Sequence, residues 1–560
     1  MDSTELFSYR LSAAFPQKVA YFCMEYAIHQ PLKTYAGGLG FLAGSQLRSA
    51  YELGMPMIGI GILWKYGYYD QVRKEDQSMS VLYQEKIYGF LKDTGLRFNI
   101  KVAGHQIAVA AYFLPPETFK TAPLFFLSTD LPENDYLSRT ICHRLYDSNP
   151  ETKIAVAILL GVGGSRLLDL LNWTPDYYHL NESHGLPLAF ELYEKWQNLD
   201  EVQKRLVFTN HTPEPGGNEK TPLASLSNMG YFGNLSIEQV RDITCLHNAV
   251  LDHTLSALRL AGRANGVSQL HGAYLCRSRG LESNTCPIIS ITNAQSFSYW
   301  HHAGMYRALY ADDDAGLVNE KRKCKESLFE VVADQCGEIY DPTVLTIVFA
   351  KRFGGYKRPE LLLNNLDRLH KLLTNKKYPI QIIWAGKPYP QDNSAIAIFN
   401  GISQLGKSYP NVAALTGYEL SLSRLLKQGA DIWLNVPRMT HEASGTSGMS
   451  AAMNGAVNLS IPDGWFPEFV RDGVNGFIIP ASDPGASEHE QDAIDANSLY
   501  DILELQVIPL YYEEPGRWIA IQKQGMRDIL PFFDSHRMAR EYYEKLYVSK
   551  EPADQSQSLA

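Results

Sequence analysis

The chain has 560 residues, 45% of them hydrophobic and 20% charged, with a formal net charge of −10. That is the balance of a globular protein long enough for two or more domains. The acidic surplus disfavours nucleic acid or an anionic membrane as partner, and favours a neutral ligand or an anion held by a few local cations.

The opening "MDSTELFSYRLSAAFPQK" lacks the basic start and apolar core of a signal peptide. The longest apolar run, "IAVAILLGVGG" at 154–164, is too short to span a bilayer. Seven dispersed cysteines without a CxxC pair point to reduced thiols. A cytoplasmic protein is expected, and no metal site is expected.

In chain order, "KVAYFCME" (18–25) reads as a buried parallel strand. "TYAGGLGFLAGSQLRSA" (34–50) follows as a glycine turn opening a helix, a form that lets backbone approach a ligand but is as often structural. "PMIGIGIL" (56–63) and "RLVFTNH" (205–211) are further strands. "HLNESHG" (179–185) and "FTNHTPEPGGNE" (208–219) each carry a histidine past a strand-like segment, His184 and His211. A lone histidine is more often a satisfied polar residue than a catalytic one; two at strand ends of the same half narrow that gap.

The polar, charged stretch 293–342, with "ADDDAG" and "NEKRKCKES", reads as a connection between domains. Beyond it "VLTIVFAKR" (344–352), "IQIIWAGK" (380–387), "VAALTG" (412–417) and "ADIWLNVP" (430–437) restart the strand rhythm, with "RPELLLNNLDRLHKLLTN" (358–375) as an intervening helix. Two such runs predict two doubly wound α/β domains, with ligands at the carboxyl ends of the strands.

"FAKRFGGYKRPEL" (349–361) gathers Lys351, Arg352 and Lys357 around a Gly-Gly turn. The bland reading is a solvated basic turn; in an acidic protein three cations at one strand end form a plausible phosphate clamp. "HEASGTSGMSAAMNG" (441–455) sets Glu442 before a Gly/Ser/Thr turn and a helix over Met449 to Asn454, whose first N–H groups suit an anion. The three cations are expected to converge on one anion near that helix start. The aromatic segment 511–534 is the candidate for a chain crossing back to the first domain, and the tail 551–560 is expected to be disordered.

Seven segments in order, "YAGGLGFLAGSQLRSAYELG", "HLNESH", "FTNHTPEPGG", "RANGVSQLHG", "FAKRFGGYKRP", "WAGKPYP" and "EASGTSGM…NG", make the chain resemble the α-glucan phosphorylases. The resemblance implies the GT-B fold, an α/β architecture of two doubly wound Rossmann-like domains facing a central cleft. The domains are then expected at 1–292 and 343–515, with 293–342 connecting them and helices of 516–550 crossing back.

It further implies that Gly37, Gly38 and Leu39 line substrate phosphate and sugar, and that His211 and Asn265 hold hydroxyls of the transferred glucosyl unit. Glu442, Ser444 and Gly445 would bind the far edge of that sugar, with His184 and Tyr356 as further substrate-side candidates. Lys351, Arg352 and Lys357 would bind phosphate groups, with Thr446 and Ser447 at the helix start.

The departures carry as much weight. The family tethers pyridoxal phosphate as an imine on a lysine, and this chain has Ser450 in its place; serine forms no imine. Ala294 and Ser296 in "ITNAQSFSYW" (291–300) stand where glycine and histidine are usual. The chain is also short, which implies that long regulatory segments are missing. Pyridoxal phosphate is therefore expected only without a covalent link, if at all, and something is expected to fill the space left by the lysine.

Three readings stay open: a phosphorylase-type α-glucosyltransferase acting on α-1,4-glucan and phosphate, a nucleotide-sugar transferase of glycogen-synthase type, and a non-catalytic glucan or sugar-phosphate binding protein. The second is favoured by Ser450 and by the synthase-like 461–480 region, although that family's second glutamate, eight residues after Glu442, would also fall on Ser450.

Overall fold

Runs of β-branched, aromatic and small residues, closed by glycine or polar turns, build two sheets. The computed structural model describes residues 3–214, 217–280 and 282–548. The tail 551–560 lies outside the described residues, as do Pro215 and Gly216 of the 208–219 loop. The chain divides into two units. The first comprises the chain up to Tyr68, Glu85–Thr292 and the chain from His536; the second comprises Tyr69–Gln84 and Asn293–Ser535.

The first unit holds a nine-stranded sheet. Its strands are β1 (Val19–Phe22), β2 (Met57–Ile62), β3 (Lys92–Val102), β4 (His105–Leu114), β5 (Leu124–Ser128), β6 (Tyr177–Asn181), β7 (Leu206–Thr209), β8 (Arg263–Gly266) and β9 (Ile288–Ser290). They lie in the order β9-β8-β7-β6-β1-β2-β5-β4-β3. β1 pairs in parallel with β2 (Val19 opposite Met57) and with β6 (Val19 opposite Tyr177), while β3, β4 and β5 pair antiparallel at one edge. Every residue of β1, β2 and β6 is buried, which is why they read as unbroken apolar runs. Helix α1 (Gly38–Leu53) follows β1. It packs so close to the preceding loop that a Cβ at Gly44 would fall 2.2 Å from the Ala27 carbonyl oxygen, so only glycine fits.

The second unit has a six-stranded, wholly parallel sheet: β10 (Leu345–Ala350), β11 (Ile380–Ala385), β12 (Val412–Leu415), β13 (Ile432–Asn435), β14 (Val457–Ser460) and β15 (Gly476–Ile478). The order β12-β11-β10-β13-β14-β15 is that of a dinucleotide-binding sheet, and its direction reverses between β10 and β13. Helices α2 (Asp314–Cys336) and α3 (Leu420–Gly429) cover it. Leu328, Phe329 and Val332 of α2 and Leu422 and Leu426 of α3 share one core with Val348, Ile383, Leu415 and Trp433 of the strands. The short α4 (Ser447–Ala452) and the long α5 (Pro515–Phe533) complete the set needed below.

Four sequence expectations change. Residues 293–342 are not a polar connection, because α2 occupies much of them and belongs to the second unit's core. The lysines that made it look solvated are partly inside: Lys321 donates to the carbonyls of Gln428, Ala430 and Asn454 at 3.0, 2.8 and 2.7 Å, and Lys325 pairs with Asp431 at 2.5 Å. Within 1–292 the hairpin Asp70–Arg73/Met79–Leu82 belongs to the second unit, where Gln71 Nε2 donates to Gly386 O at 3.0 Å.

Most of 511–534, expected to cross back, also stays with the second unit. Trp518, Ile521, Met526, Ile529 and Phe533 of α5 are buried, and the Phe533 ring meets Trp465 at 5.0 Å between centroids. The chain returns at His536, and Tyr547 there reaches His179 of β6 at 2.6 Å. Finally, the helix expected over 358–375 is broken: a 3-10 turn, Leu361–Asn364, precedes an α-helix, Leu366–Leu373. Asn365 caps the second piece by accepting from the Arg368 N–H at 3.1 Å.

Candidate active site

In each unit the candidate residues lie at the point of the sheet where the strand order reverses. In the first unit the switch falls between β1 and β6. After β1, the buried Glu25 accepts the backbone N–H groups of Ala36 (2.7 Å) and Gly37 (3.0 Å), and the Tyr146 hydroxyl. That carboxylate shapes the Gly37–Gly38 turn. A Cβ at Gly37 or Gly38 would meet nothing within 4 Å, so the turn borders open space, with Leu39 half-buried behind it.

After β6, Asn181 accepts from the His211 ring, Nε2 to Oδ1 at 2.6 Å, and donates to the Cys23 sulfur at 3.3 Å. Glu182 accepts the N–H of His211 and that of Ser183. Its φ is 73° and ψ 166°, a region that almost only glycine visits, so the site stores backbone strain there. Burial lifts the Glu182 carboxyl to about 8, against the two N–H groups. Burial also lowers the His211 ring to about 3 and the His184 ring to about 4. Both imidazoles are therefore neutral hydrogen-bonding groups rather than proton donors near neutrality. Asn265 is turned into the sheet: its Oδ1 accepts from Thr209 at 2.6 Å and its Nδ2 donates to Gly266 O at 3.0 Å.

In the second unit the switch falls between β10 and β13. Lys351 follows β10, and its buried amine lies 5.8 Å from the Phe349 ring centroid. Burial, then the charge of Lys357, pulls that amine well below the ordinary lysine range, with Glu442 acting the other way. Lys357 is ion-paired with Glu442, and both side chains are nearly out of solvent, 12% and 8% exposed. Arg352 is exposed while Lys351 and Phe353 are buried, the two-residue alternation of an extended segment. Of the three expected cations, Lys357 pairs with Glu442 and Lys351 lies buried within reach of both charges.

Arg358 fixes the register of these loops. It is 1% exposed, and its guanidinium donates to the carbonyls of Val436 and Pro437, both at 3.0 Å, and to Asp492 at 3.0 Å; Asp495 lies at 2.8 Å. The loop after β10 is thereby bolted to the loop after β13, and Lys357 is delivered to Glu442. Tyr356 lies against His441, ring centroids 6.4 Å apart.

Asp463 holds the other side of the glutamate loop by accepting the Glu442 N–H at 2.9 Å, and burial raises its carboxyl to about 6. Gly445, at φ 74°, turns the chain beside Ser444, whose carbonyl accepts from Trp465 N at 3.0 Å. Thr446 precedes α4 without capping it by its side chain, and the Ser447 hydroxyl accepts from Trp433 Nε1 at 3.2 Å. The helix begins at Ser447 and runs six residues, earlier and no longer than expected. Any anion affinity here comes from the lysines.

Glu25, Glu182, Arg358 and Asp463 escaped the sequence reading. A signal existed for the first two, each an acidic residue just past a strand and before a turn. Among the described residues no group of His, Cys, Asp and Glu could hold a metal ion. No helix among them is long and apolar enough to cross a membrane. None of the seven cysteines forms a disulfide among the described residues.

Ser450 is wholly buried, and its hydroxyl donates back to the carbonyls of Thr446 and Ser447, each at 3.3 Å. A hydroxyl so engaged offers no amine, so a cofactor tethered as an imine does not fit position 450.

The second unit thus carries two lysines and a glutamate, largely out of solvent, in the loops at the switch point of a parallel α/β sheet. The chain belongs to the carbohydrate phosphorylase family. The family's model matches residues 309–475. A maltodextrin phosphorylase of Thermococcus litoralis is 32% identical over 95% of this chain and 70% of its own length. A glycogen phosphorylase of Mycobacterium tuberculosis is 32% identical over 97% of this chain and 72% of its own. An uncharacterized protein of Methanocaldococcus jannaschii is 45% identical over 94% of this chain and 99% of its own.

Proposed function

We propose that the chain is a retaining α-glucosyltransferase of phosphorylase type, with the GT-B arrangement, moving glucosyl units between α-1,4-glucan and phosphate. The buried Lys351–Lys357–Glu442 cluster carries this reading. Burial disfavours the charged form of Lys351 beside the Lys357–Glu442 pair, and a bound anion would favour it again. Lys351 and Lys357 hold the phosphate, and Glu442 accepts from sugar hydroxyls beside it. Neutral His211, oriented by Asn181 and Glu182, accepts a sugar hydroxyl through the ring nitrogen that Asn181 leaves over.

In the reaction a phosphate oxygen bonds to the anomeric carbon as the bond from that carbon to O4 of the next glucose breaks. The hydrogenphosphate passes its own proton to that O4, and glucose 1-phosphate forms with its α-configuration kept. The lysines stabilise the charge that grows between phosphate and sugar. No step runs through pyridoxal phosphate, because the residue at 450 does not fit its tether.

That misfit favours a second reading, a nucleotide-sugar α-glycosyltransferase whose donor diphosphate would lie on the same lysines. Purified protein incubated with maltodextrin and phosphate should release glucose 1-phosphate, and Lys351→Met should abolish the release. Glucosyl transfer from UDP-glucose or ADP-glucose, with no phosphorolysis, would replace the first reading by the second. Thermal shifts with these ligands and no turnover would leave a binding protein.

A further inference from the structure

Ser450 and Trp300, which closes the segment holding the other departures Ala294 and Ser296, are joined in the second unit by Asn454. Asn454 donates from Nδ2 to the Ser450 carbonyl at 2.8 Å and to the Trp300 carbonyl at 2.9 Å. Against the Trp300 ring lies a residue from a third place in the sequence: the Lys427 amine sits 3.4 Å from its centroid. One turn earlier on α3, Arg424 lies 4.4 Å from the Tyr299 ring and donates to the Tyr299 carbonyl at 2.8 Å.

Residues three apart share a helix face, so α3 lays two cations on two consecutive aromatic rings. Ser450, Trp300 and Lys427 are each no more than 1% exposed. Burial, then the Arg424 charge, pulls the Lys427 amine well below the ordinary lysine range. A desolvated amine on an indole face gains cation–π attraction whenever it is protonated.

We propose that Lys427 is the built-in occupant of the space that a lysine-tethered cofactor fills in the family. Its side chain enters from α3, covers the face of Trp300, and takes the room that a long side chain at position 450 would need. The serine at 450 and the lysine at 427 are then one compensated exchange, since a long side chain removed from a packed interior must be replaced by other atoms. The inference rests on family membership and not on which donor the chain uses. Its test reads cofactor capture rather than turnover, so its failure leaves the phosphorylase-type reading standing.

Wild type, Ser450→Lys, the double variant Lys427→Ala with Ser450→Lys, and the double variant Lys427→Met with Ser450→Lys are incubated with pyridoxal phosphate, reduced with borohydride, and peptide-mapped by mass spectrometry. Wild type and Ser450→Lys alone should show no pyridoxyl group at 427 or 450. The Lys427→Ala double variant should carry one at 450, with a near-ultraviolet imine band before reduction. The Lys427→Met double variant, in which the volume stays filled, should carry none.

An adduct on wild-type Lys427 would make that residue a tether and overturn the proposal. So would capture by Ser450→Lys alone, or a folded Lys427→Ala double variant that captures nothing. Should that double variant fail to fold, Lys427→Ala alone decides. It should bind pyridoxal phosphate reversibly, with quenched tryptophan fluorescence and a raised Tm, where wild type does neither; equal behaviour of the two overturns the proposal.

Discussion

Replacing Glu442 by glutamine removes the one carboxylate that Lys351 and Lys357 share, and the consequence follows from burial. The Glu442 and Lys357 side chains are 8% and 12% exposed, so solvent screens their pairing little. Breaking one partner of such a pair costs about 3–5 kcal/mol, because a charge is left buried and uncompensated. Glu442→Gln leaves Lys357 without its partner and takes from Lys351 the charge that favours its protonated form, whereas Lys357→Met leaves Glu442 to favour a protonated Lys351. The glutamate variant should therefore lose more stability than the lysine variant.

The two variants should also differ toward anions. With two lysines and no carboxylate, Glu442→Gln gains a phosphate site, and phosphate at 100 times its Kd would return about 2.7 kcal/mol. Lys357→Met keeps one cation against one anion and should gain almost nothing. Urea unfolding of wild type and both variants, with and without phosphate at constant ionic strength, measures all of these differences. A loss below about 1 kcal/mol in Glu442→Gln would mean that the pair behaves as a surface ion pair. Equal rescue of both variants by phosphate would refute the charge accounting outright.

Glu182 makes stability depend on pH. Its carboxyl is raised from 4.5 to about 8, so its contribution is whole below pH 4.5 and is lost as pH rises toward 8, on the order of 5 kcal/mol in all. Glu182→Gln should lack that slope, read as a urea midpoint that gains on wild type between those values; parallel profiles would contradict it. Arg358→Met should cost about 3–5 kcal/mol by leaving the buried Asp495 without its cation, while Asp492 keeps Arg438. Arg358→Lys should rescue little, since an ammonium cannot replace the planar fork; a wild-type urea midpoint in Arg358→Lys would show that the guanidinium geometry is not needed. Ser450→Lys alone should lose about 1–3 kcal/mol to overpacking. Combining it with Lys427→Ala should recover part of that loss as a coupling energy, and strict additivity in urea would place the two residues in separate spaces.

The strands read from the sequence, β1, β2 and β7 in the first sheet and β10 to β13 in the second, were legible as apolar runs because they are buried on both faces, whereas the half-exposed β3 was not. Lys351 and Glu442 were legible for a related reason: each stands just past such a run, where a parallel sheet presents its loops. What failed depends on direction rather than composition. In 351–353 an exposed Arg352 stands between buried Lys351 and Phe353, and a list of three cations cannot show which of them is withdrawn from water. In α2 the run "NEKRKCKES" looks solvated, yet Lys321 and Lys325 turn inward onto carbonyls and Asp431, because acceptors from distant loops meet them there.

Glu182 carried a signal of position, just past a strand and before a turn, but its φ of 73° leaves no mark on residue type. Ser450 stood out as an absence, but its counterpart could not be named from the sequence. Lys427 lies on another helix, in a stretch that reads as an ordinary amphipathic surface. Only the packing of α3 against Tyr299 and Trp300 turns that lysine inward, which makes a missing catalytic-family residue a question about its neighbours in space before it is one about chemistry.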